Sequence, residues 1–481
     1  MPSKPERYDI IVLGGGSGGL VVTAVAAQLG YKIALLEGGE MGGDCLNDGC
    51  VPSKALIAAA KMAYMPHKST DFGVTLAAKT DFTKVMAHVQ ETIATIAPHD
   101  SQERFEGFGA TVIREYGQFA DEKTITTPSG RQLTARRIVV ATGSRPAIPP
   151  IPGLQDVPYL TNESIFDLQE QPAHLAIIGG GPIGIEMAQA FNRLGSKVTV
   201  LEAAPTFLGH DDKDLTSELR SLLEAEGITI HTNTKAEKIS QTKQGIKIKT
   251  STDDQAKEIT ASHLLVAAGR TPNIDKLNLP AAGIQFDERK GIEVNHQLRT
   301  TNKHVFAVGD CAGTPYNFTH MAGEMATVFI QRVLFGNLFA RFKTHHVPWA
   351  TYTDPELAHV GLTRRDAEAQ YGAEAVTTTT FPVADVDRNV AERTRAGQLK
   401  VHVVKGKIVG ADMLGADAGN LIAPLAVMIA HGMKLAKLSS VIFPYPTAAE
   451  INRRVVSAHF APMLYAPKTL KISRILFKLL G

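Results

Sequence analysis

One glycine-rich pattern occurs twice in this chain, each time between two short apolar runs that are typical of buried strands. The first copy begins with the run 8–13 and ends with the run 32–36, and the second begins with 174–178 and ends with 197–201. The chain is therefore expected to contain two β-α-β units of a Rossmann-like α/β fold. One constant shift in residue number takes Gly14, Gly16, Gly19, Gly30 and Glu37 onto Gly179, Gly181, Gly184, Gly195 and Glu202.

Each glycine loop has the residue spacing of a dinucleotide-binding site. Glycines at its first, third and sixth positions allow a tight turn, close approach of a pyrophosphate and close packing of the next helix, whose N-terminus attracts negative charge. Glu37 and Glu202 would then accept hydrogen bonds from ribose hydroxyls. Glu202 would also repel a 2′-phosphate, and residues 203–205 include no arginine to bind one, so the second site favours NADH over NADPH.

Two of the three cysteines, Cys45 and Cys50, lie close together after the first β-α-β unit. Pro52 suits the first turn of a helix, which would place Cys50 at a helix N-terminus, where the peptide dipoles stabilise a thiolate. Lys54 lies one turn later and adds positive charge. No further cysteine or closely spaced histidine joins the pair, so a redox dithiol is favoured over a zinc site. Two dinucleotide sites on either side of this pair indicate electron transfer between a dinucleotide and a disulfide.

The composition limits the classes of function. The chain has 481 residues, of which 44% are hydrophobic and 20% are charged, which suits roughly three globular domains. A net charge of +2 provides no field that would recruit nucleic acid. The sequence contains no apolar signal segment and no run of about 18 apolar residues. We therefore expect a cytoplasmic protein, in which a disulfide is catalytic rather than structural.

The other segments predict additional helices and a separate C-terminal domain. Amphipathic patterns predict helices at 54–66 and 81–108. Short strands at 399–404 and 407–411 and a helix at 420–431 predict an α+β domain without a nucleotide site.

The tail at 468–481 predicts a basic amphipathic helix, with Lys471, Arg474 and Lys478 on one face and apolar residues on another. Peripheral contact with a membrane surface is one interpretation of this pattern. Packing on the protein itself or on a partner subunit is favoured over it.

Seven motifs in a fixed order resemble those of the class I pyridine nucleotide-disulfide oxidoreductases, which include lipoamide dehydrogenase, glutathione reductase and mercuric reductase. The resemblance covers nearly the whole chain. It implies FAD at the first glycine loop, a nicotinamide dinucleotide at the second, and a C-terminal interface domain that makes the enzyme a homodimer. The motifs are the glycine loop after Leu13, GGDCLNDGCVPSK at 42–54, the ATG turn at Thr142, GGGPIGIE at 179–186, AAGRTPN at 267–273, VGDCAG at 308–313 and YPTAAE at 445–450.

This resemblance implies an α/β fold with two Rossmann-like dinucleotide-binding domains, for FAD and NAD, and a C-terminal α+β dimerisation domain. The expected segments are 1–150 for the first part of the FAD domain, 151–280 for the NAD(P) domain, 281–345 for a central FAD-binding segment, 346–460 for the dimerisation domain and 461–481 for the basic tail.

The resemblance also implies roles for individual residues. Cys50 would contact the flavin, Cys45 would exchange with the substrate, and Lys54 would lie beside the flavin and pair with Glu186. Cys311 is expected to be a small buried residue, and no metal-binding residues are expected. The implied cofactor-binding residues are Gly14, Gly16, Gly19, Glu37, Gly43, Lys54, Gly117, Thr142, Gly143, Ser144, Asp310 and His320 for FAD, and Gly179, Gly181, Gly184, Glu202, Ala236 and Gly269 for the nicotinamide dinucleotide.

Two further implied catalytic residues, Tyr445 and Glu450, mark a departure from the disulfide-reducing members, which have a histidine in place of Tyr445. A phenol with a pKa of about 10 is a poorer proton shuttle than an imidazole with a pKa of about 6.5, and such assistance contributes about 10² to 10⁴ in rate. Ordinary lipoamide or glutathione turnover is therefore disfavoured. A tyrosine here is similar to mercuric reductases, which reduce a soft metal ion but also use a second cysteine pair near the C-terminus that this chain lacks.

Asp44 and Asp48 replace residues that are more commonly neutral in the family. Negative charge there would raise the pKa of the nearby thiols unless the carboxylates are bound to other groups. We expect Asp44 to be bound in this way, as a loop cap.

The leading interpretation is a homodimeric FAD enzyme that passes electrons from NADH through the flavin and the Cys45–Cys50 disulfide to a thiol-reactive acceptor. That acceptor is a soft metal ion such as Hg(II) or an unidentified disulfide. Three alternatives stay open: a lipoamide dehydrogenase-type disulfide reductase, an NADH:quinone diaphorase at a membrane surface, and a non-catalytic redox-responsive scaffold.

Overall fold

The computed structural model describes residues 4–77, 79–252 and 255–480. These residues form two compact units. The first contains the chain up to Pro205 together with Ile228–Lys343, and the second contains Thr206–Gly227 together with the chain from Thr344 onwards. A short segment between the two halves of the first unit thus belongs to the C-terminal unit.

Within the described residues the strands are β1 (Glu6–Leu13), β2 (Ile33–Leu36), β3 (Thr111–Ile113), β4 (Gln118–Phe119), β5 (Thr124–Thr126), β6 (Gln132–Val140), β7 (Ser144–Pro146), β8 (His174–Ile178), β9 (Lys197–Leu201), β10 (Thr229–His231), β11 (Thr234–Thr242), β12 (Gly245–Thr252), β13 (Gln255–Ala261), β14 (His263–Val266), β15 (Arg270–Pro272), β16 (Phe286–Asp287), β17 (Gly291–Ile292), β18 (Val305–Ala307), β19 (Pro348–Thr351), β20 (Glu356–Gly361), β21 (Val376–Pro382), β22 (Gln398–Val404) and β23 (Lys407–Gly415).

The α-helices of the same residues are α1 (Ser17–Gln28), α2 (Gly43–Asn47), α3 (Cys50–Ser69), α4 (Phe82–Ile96), α5 (Gln102–Gly107), α6 (Pro182–Arg193), α7 (Lys213–Ala225), α8 (Thr319–Phe329), α9 (Arg364–Tyr371), α10 (Asp387–Ala391), α11 (Ala418–Leu421), α12 (Ala423–Ala430), α13 (Ile451–Leu464) and α14 (Pro467–Leu480).

The first unit contains a parallel sheet in the order β3-β2-β1-β6-β18, and the β4–β5 hairpin extends it on β6. Its strands are continuous apolar runs, as expected for parallel strands covered on both faces. Leu13 pairs with Leu36 and with Val140, and these three side chains are at most 2% exposed. The carboxyl ends of β1, β2 and β6 therefore meet at one edge, where the loops that begin at Gly14 and Glu37 lie together.

A second parallel sheet in the same unit has the order β10-β9-β8-β14. Ile178 pairs with Leu201 and with Val266, so the second glycine loop also begins at a carboxyl edge. The antiparallel strands β11, β12 and β13 form a separate sheet, and β7 pairs with β15. Each of the two parallel sheets contains one strand, β1 or β8, that leads into a glycine loop. This arrangement confirms the expected Rossmann-like α/β architecture.

The second unit is built on a five-stranded antiparallel sheet in the order β19-β20-β23-β22-β21, which confirms the expected α+β architecture. Helix α7 belongs to this unit. Its start is attached to the sheet by Lys400, whose Nζ lies 2.7 Å from Asp212 Oδ1 and 2.6 Å from Asp214 Oδ2. Asp212 is also the N-cap of α7, so the ion pair fixes the helix N-terminus.

The helices differ from the sequence-based expectation at two prolines. The helical segment predicted at 81–108 is divided into α4 and α5, because a 3₁₀ turn at Ala97–Asp100 contains Pro98, which has no N–H for a continuous α-helix. The helix predicted at 420–431 is likewise divided into α11 and α12, with Pro424 in the first turn of α12.

A buried hydrogen-bond network crosses the central strands of the second unit. Asp412 Oδ1 lies 2.6 Å from His359 Nδ1, and Asp412 Oδ2 lies 2.7 Å from His402 Nε2. All three side chains are at most 2% exposed, and the Trp349 ring lies 3.9 Å from the His359 ring. Burial disfavours the charged imidazolium, but the Asp412 carboxylate outweighs burial and raises the pKa of His359. Burial also opposes the charge of Asp412, but the two histidines lower its pKa.

These two pKa shifts define the pH range in which the network stabilises the fold. The lowered pKa of Asp412 gives stability that is present above its unfolded value of about 3.9 and lost as the pH falls through the folded value. The raised pKa of His359 gives stability that is present below about 6.5 and lost as the pH rises through the folded value. The contribution is therefore complete between about pH 4 and about pH 6.5.

We expect Asp412→Asn to lower the free energy of unfolding by about 3–5 kcal/mol at about pH 5.5, because it leaves two buried imidazoles without their carboxylate. The loss should be smaller at about pH 9, because the contribution of His359 is lost as the pH rises through its folded pKa. Denaturant unfolding at the two pH values measures both effects. Glu374→Gln removes the same charge from an exposed position of this unit and serves as the control. Equal losses in both variants would contradict a role for the network.

Candidate active site

The two cysteines of the CLNDGC segment lie in two consecutive helices. Cys45 is in the short helix α2, and Cys50 is the first residue of α3, which confirms the predicted helix start. The structure places Cys50 Sγ 3.3 Å from the hydroxyl of Thr319, the first residue of α8. Cys50 is thus at the N-termini of two helices, where unsatisfied peptide N–H groups favour negative charge.

The thiols influence each other's protonation in opposite directions. The hydrogen bond with Cys45 is the main cause that lowers the pKa of Cys50 to about 6, and the Thr319 hydroxyl and the Lys54 charge act in the same direction. Burial and the charge of Asp44 oppose them. The hydrogen bond with Cys50, together with burial, raises the pKa of Cys45. Near neutral pH the dithiol therefore carries one thiolate, on Cys50, and one thiol proton, on Cys45.

Lys54 joins the helix after the cysteines to the helix after the second glycine loop. Its Nζ lies 2.9 Å from Oε2 of Glu186 in α6. The Glu186 side chain is 6% exposed, whereas that of Lys54 is 38% exposed. A buried carboxylate needs such a partner. The pair thus links the dithiol to the second nucleotide loop.

The first glycine loop leaves room for a ligand at its third glycine. A Cβ on Gly14 would lie 2.3 Å from the Ala141 carbonyl oxygen, and one on Gly19 would lie 1.9 Å from the Gly14 oxygen. Side chains are excluded at both positions. At Gly16 the nearest heavy atom to a Cβ would be Gly43 Cα at 3.9 Å. The backbone is therefore tight where helix α1 meets the strand and open where a pyrophosphate would approach.

The second glycine loop repeats this arrangement. A Cβ on Gly179 would lie 2.3 Å from the Ala267 oxygen, and one on Gly184 would lie 2.1 Å from the Gly179 oxygen. A Cβ on Gly181 would have no heavy atom within 4 Å. The residues present at both loops fit a dinucleotide.

The two acidic residues at the strand ends, Glu37 and Glu202, occupy equivalent positions. Each carboxylate accepts one hydrogen bond from a backbone N–H of its glycine loop and one from the backbone N–H of the residue two positions after the glutamate. Both carboxylate oxygens are therefore held beside the loop. The bonds run from Gly15 N to Glu37 Oε2 (2.6 Å), Gly39 N to Glu37 Oε1 (2.7 Å), Gly180 N to Glu202 Oε2 (2.6 Å) and Ala204 N to Glu202 Oε1 (2.6 Å).

A polar cluster lies beside the dithiol segment. Ser144 Oγ donates to Asp310 Oδ2 at 2.7 Å, and Arg270 Nε donates to Ser144 Oγ at 2.7 Å. Arg270 also lies 3.0 Å from Asp44 Oδ1. Partial burial raises the pKa of Asp310, and this partly exposed carboxylate suits hydrogen bonding to a polyol chain. No role was predicted for Arg270. The one feature of the sequence that could have indicated a role is its position directly after Gly269.

Asp44 is bound to other groups, as expected, but not as a loop cap. Asn162 Nδ2 donates to Asp44 Oδ1 at 2.9 Å and to the Asp48 carbonyl oxygen at 3.2 Å, and Arg270 is the second partner of Asp44. The N-cap of α2 is Gly42. Burial, followed by the charge of Asp44, raises the pKa of Asp48 to about 6. Asn162 lies far away along the chain, and no local pattern predicts its contact with Asp44.

Four more glycines of the first unit were predicted to bind a cofactor. Gly43, Gly143 and Gly269 have positive φ angles of 62°, 67° and 109°. A Cβ on Gly117 would lie 2.8–2.9 Å from side chains that include Leu13 and Leu36, so this glycine is at the carboxyl edge of the first sheet. Their roles in binding a cofactor stay predictions.

Three more predicted residues are placed by their neighbours. Thr142 Oγ1 donates to the Asn273 carbonyl oxygen at 2.7 Å. His320 follows Thr319 in α8, and its ring stacks on Phe318 at 5.3 Å. Ala236 is a half-buried residue of β11.

Cys311 is fully buried, and burial raises the pKa of its thiol to about 11. Its Sγ lies 3.4 Å from the Val140 and Val308 carbonyl oxygens. This agrees with the expected structural role. Within residues 4–77, 79–252 and 255–480, no group of three or more His, Cys, Asp or Glu side chains is arranged to hold a metal ion.

Tyr445 and Glu450 are in the second unit, whereas the cysteines are in the first. The Tyr445 hydroxyl donates to Asp387 Oδ2 at 3.0 Å, and this bond raises the pKa of the phenol. Glu450 is 9% exposed, and its Oε2 has no hydrogen-bond partner among the described residues. Asp387, the first residue of α10, was not predicted from the sequence as a partner of Tyr445.

Two family matches cover most of the chain. The family "Pyridine nucleotide-disulphide oxidoreductase" matches residues 8–326, and its dimerisation domain matches residues 347–455. Among the relatives, a mercuric reductase from Bacillus cereus is 30% identical over 446 residues, which cover 92% of this chain and 70% of the relative. A mercuric reductase from Streptomyces lividans is 31% identical, with 92% and 94% covered. A dihydrolipoyl dehydrogenase from Staphylococcus aureus is 31% identical, with 93% and 96% covered.

Solved structures with the same fold include the HOCl-induced flavoprotein disulfide reductase RclA from Escherichia coli. It matches with a TM-score of 0.83 and 27% identity over 94% of this chain and 99% of that chain. A Cu(II) complex of the same protein matches with a TM-score of 0.83, also at 27% identity, over 93% and 99%.

We expect Thr319→Val to raise the pKa of Cys50 above about 6, because the variant lacks the hydroxyl that hydrogen-bonds the thiolate. A hydrogen bond to a charged group is worth about 1.5–3 kcal/mol, and the exposure of Cys50 supports the lower end. The midpoint should therefore move up by about one pH unit. This midpoint is measured by titrating the ultraviolet absorbance of the thiolate in the reduced protein and subtracting the absorbance of the Cys50→Ser variant at each pH.

Thr327→Val is the matched control, because the Thr327 hydroxyl donates to Gly323 within the same helix. An unchanged midpoint in Thr319→Val, or an equal change in both variants, would show that Thr319 does not stabilise the thiolate.

Proposed function

This chain belongs to the pyridine nucleotide-disulphide oxidoreductase family, and from that premise we propose that it is an FAD-dependent enzyme that uses NADH to reduce a soft metal ion at Cys45 and Cys50. The observation that carries the proposal is the dithiol with a single stabilised thiolate, in the same unit as two glycine loops that fit dinucleotides. When bound, FAD would accept a hydride from the nicotinamide and deliver the electron pair to the Cys45–Cys50 disulfide.

Each of the two glycine loops would bind one of the two dinucleotides. The first loop with Glu37 and Asp310 would hold FAD, and the second loop with Glu202 would hold the nicotinamide dinucleotide. Lys54 would place its positive charge beside the redox centre, with its position set by Glu186. The match of the dimerisation domain to residues 347–455 supports a homodimer.

The electron balance of the proposed reaction is simple. NADH, a proton and the disulfide give NAD⁺ and two thiols. With a metal acceptor, NADH gives NAD⁺, a proton and two electrons, which reduce Hg(II) to Hg(0) or two Cu(II) to two Cu(I). Thiolates are the ligands that soft metals prefer. Both thiols would bind the ion as thiolates, and Cys45 would lose its proton on binding.

The surroundings of Tyr445 favour a metal ion over a disulfide. Reduction of a disulfide requires a group that gives a proton to the leaving thiolate near neutral pH. The hydrogen bond to Asp387 raises the pKa of Tyr445 further above neutrality, which makes the phenol a poor proton shuttle near neutral pH. A metal acceptor releases no thiolate that must be protonated.

The relatives support the same choice. Proteins named mercuric reductase are among the most similar, and one solved structure of RclA is a Cu(II) complex. Cys45 and Cys50 are the only closely spaced cysteines of this sequence. An ion would therefore reach them directly, without transfer from a second cysteine pair.

We expect the purified protein to oxidise NADH faster with Hg(II) or Cu(II) than with lipoamide or glutathione disulfide. Cys45→Ser should reduce the metal-dependent rate by about a hundredfold or more, because one serine removes the dithiol. NADH absorbance with each acceptor, and detection of Hg(0) or Cu(I), measure the reaction. Cys311→Ser is the control, because it removes a thiol that the proposal does not use.

Tyr445→His tests the reason for this preference. The variant should raise the disulfide rates by at least about tenfold, part of the about 10² to 10⁴ that general acid–base catalysis contributes. High disulfide rates in the unaltered protein would replace the metal proposal with a lipoamide dehydrogenase-type function.

We expect NADH to be preferred over NADPH, and Glu202→Ala to reduce that preference. A hydrogen bond between a ribose hydroxyl and a carboxylate contributes about 1.5–3 kcal/mol, so kcat/KM for NADH should fall by about ten- to 150-fold. Steady-state kinetics with both nucleotides measure the change. Glu170→Ala, at an exposed position of the same unit, is the control. A preference for NADPH in the unaltered protein would disprove the assignment.

A further inference from the structure

The C-terminal helix α14 is the last described element of the second unit. It covers Pro467–Leu480, beyond residue 455, where the match to the dimerisation domain ends. None of its residues is buried. The sequence favoured packing of this tail on the protein or on a partner subunit, and within the described part of this chain no side chain of the helix is covered to the extent of a buried residue.

The apolar residues of α14 surround more than half of the helix. At 3.6 residues per turn, Ile475, Leu476 and Phe477 point about 100° apart in succession, and Leu479 points close to Ile475. Contact with one flat protein partner would cover only part of this apolar surface. A lipid interface covers a broad face, because the helix sinks into it. The residues of this surface are Leu470 (40% exposed), Ile472 (48%), Ile475 (49%), Leu476 (48%), Phe477 (77%), Leu479 (75%) and Leu480 (85%).

The charges at the narrow polar edge all have one sign. Lys471, Arg474 and Lys478 lie along this edge, whereas Lys468 points between Ile475 and Leu479 at the start of the helix. The sequence contains no Asp or Glu after Glu450. Basic residues beside an apolar helix face are attracted to anionic lipid headgroups. The charge of α14 is therefore complementary to an anionic bilayer surface.

The length of α14 determines how it would meet a bilayer. Its 14 residues extend about 21 Å, less than the hydrocarbon core of about 30 Å. No helix within residues 4–77, 79–252 and 255–480 is long and apolar enough to cross a membrane. The helix would therefore lie in the plane of the interface.

We propose that α14 docks this protein on the surface of anionic membranes, with its apolar face in the lipid and its basic edge at the headgroups. The proposal does not depend on the electron acceptor, because none of the residues of α14 belongs to the candidate active site.

The test is flotation of the purified full-length protein with vesicles of phosphatidylcholine alone and of phosphatidylcholine with phosphatidylserine. We expect the recovery with anionic vesicles to exceed that with neutral vesicles by at least about tenfold and to fall at high salt. Lys471→Glu/Lys478→Glu should reduce it by about tenfold or more through charge reversal. Leu476→Ser/Phe477→Ser should reduce it through the lost apolar contact.

Lys434→Glu/Lys437→Glu is the charge-matched control, at two exposed positions of the same unit outside α14. It should float as the unaltered protein does. Circular dichroism and NADH oxidation verify that each variant is folded and active. Recovery that is equal for neutral and anionic vesicles, or equal for the α14 variants and the unaltered protein, would overturn the proposal. A lipid-independent change in dimer sedimentation in the α14 variants would assign the helix to a subunit contact instead.

Discussion

The close approach of the sixth glycine of each loop to the first is the contact on which the candidate site depends. A Cβ at Gly19 would lie 1.9 Å from the Gly14 oxygen, and a Cβ at Gly184 would lie 2.1 Å from the Gly179 oxygen. Any side chain at these positions would push the helix away from the strand end. The helix N-terminus would then no longer face the space beside the third glycine. Two such contacts, at equivalent positions of two sheets, give one unit two equivalent binding loops.

The dithiol depends on a second feature of the same unit, the meeting of two helix starts. Cys50 begins α3 and contacts the first residue of α8, so backbone N–H groups of both helices favour its thiolate. The acidic residues of the segment would oppose this. Asn162 and Arg270 bind Asp44, which limits its effect on the thiol.

Local parts of this arrangement could be predicted from the sequence. The bounds of β8 and β9 coincide with the predicted runs 174–178 and 197–201, because a continuous apolar run with glycine or charge at its ends identifies a buried strand. The helix start at Cys50 followed from Pro52. In contrast, Thr319, Arg270 and Asn162 come from distant parts of the chain. Nothing in their local sequence indicates which thiol or carboxylate they meet, because the fold alone makes these contacts.

The second unit illustrates the same limit at Tyr445. The sequence indicated a tyrosine in place of a histidine but not the carboxylate that fixes its proton, since Asp387 lies in α10 and has no pattern of its own. With the phenol bonded to Asp387, Oε2 of the buried Glu450 has no partner among the described residues. An imidazole at position 445 would bring a second ring nitrogen, so it could bond a carboxylate and still exchange a proton with a substrate. A phenol has one proton, and here it is donated in a hydrogen bond to Asp387. The difference between the two side chains is therefore the loss of an available proton, and this loss favours an acceptor that needs none.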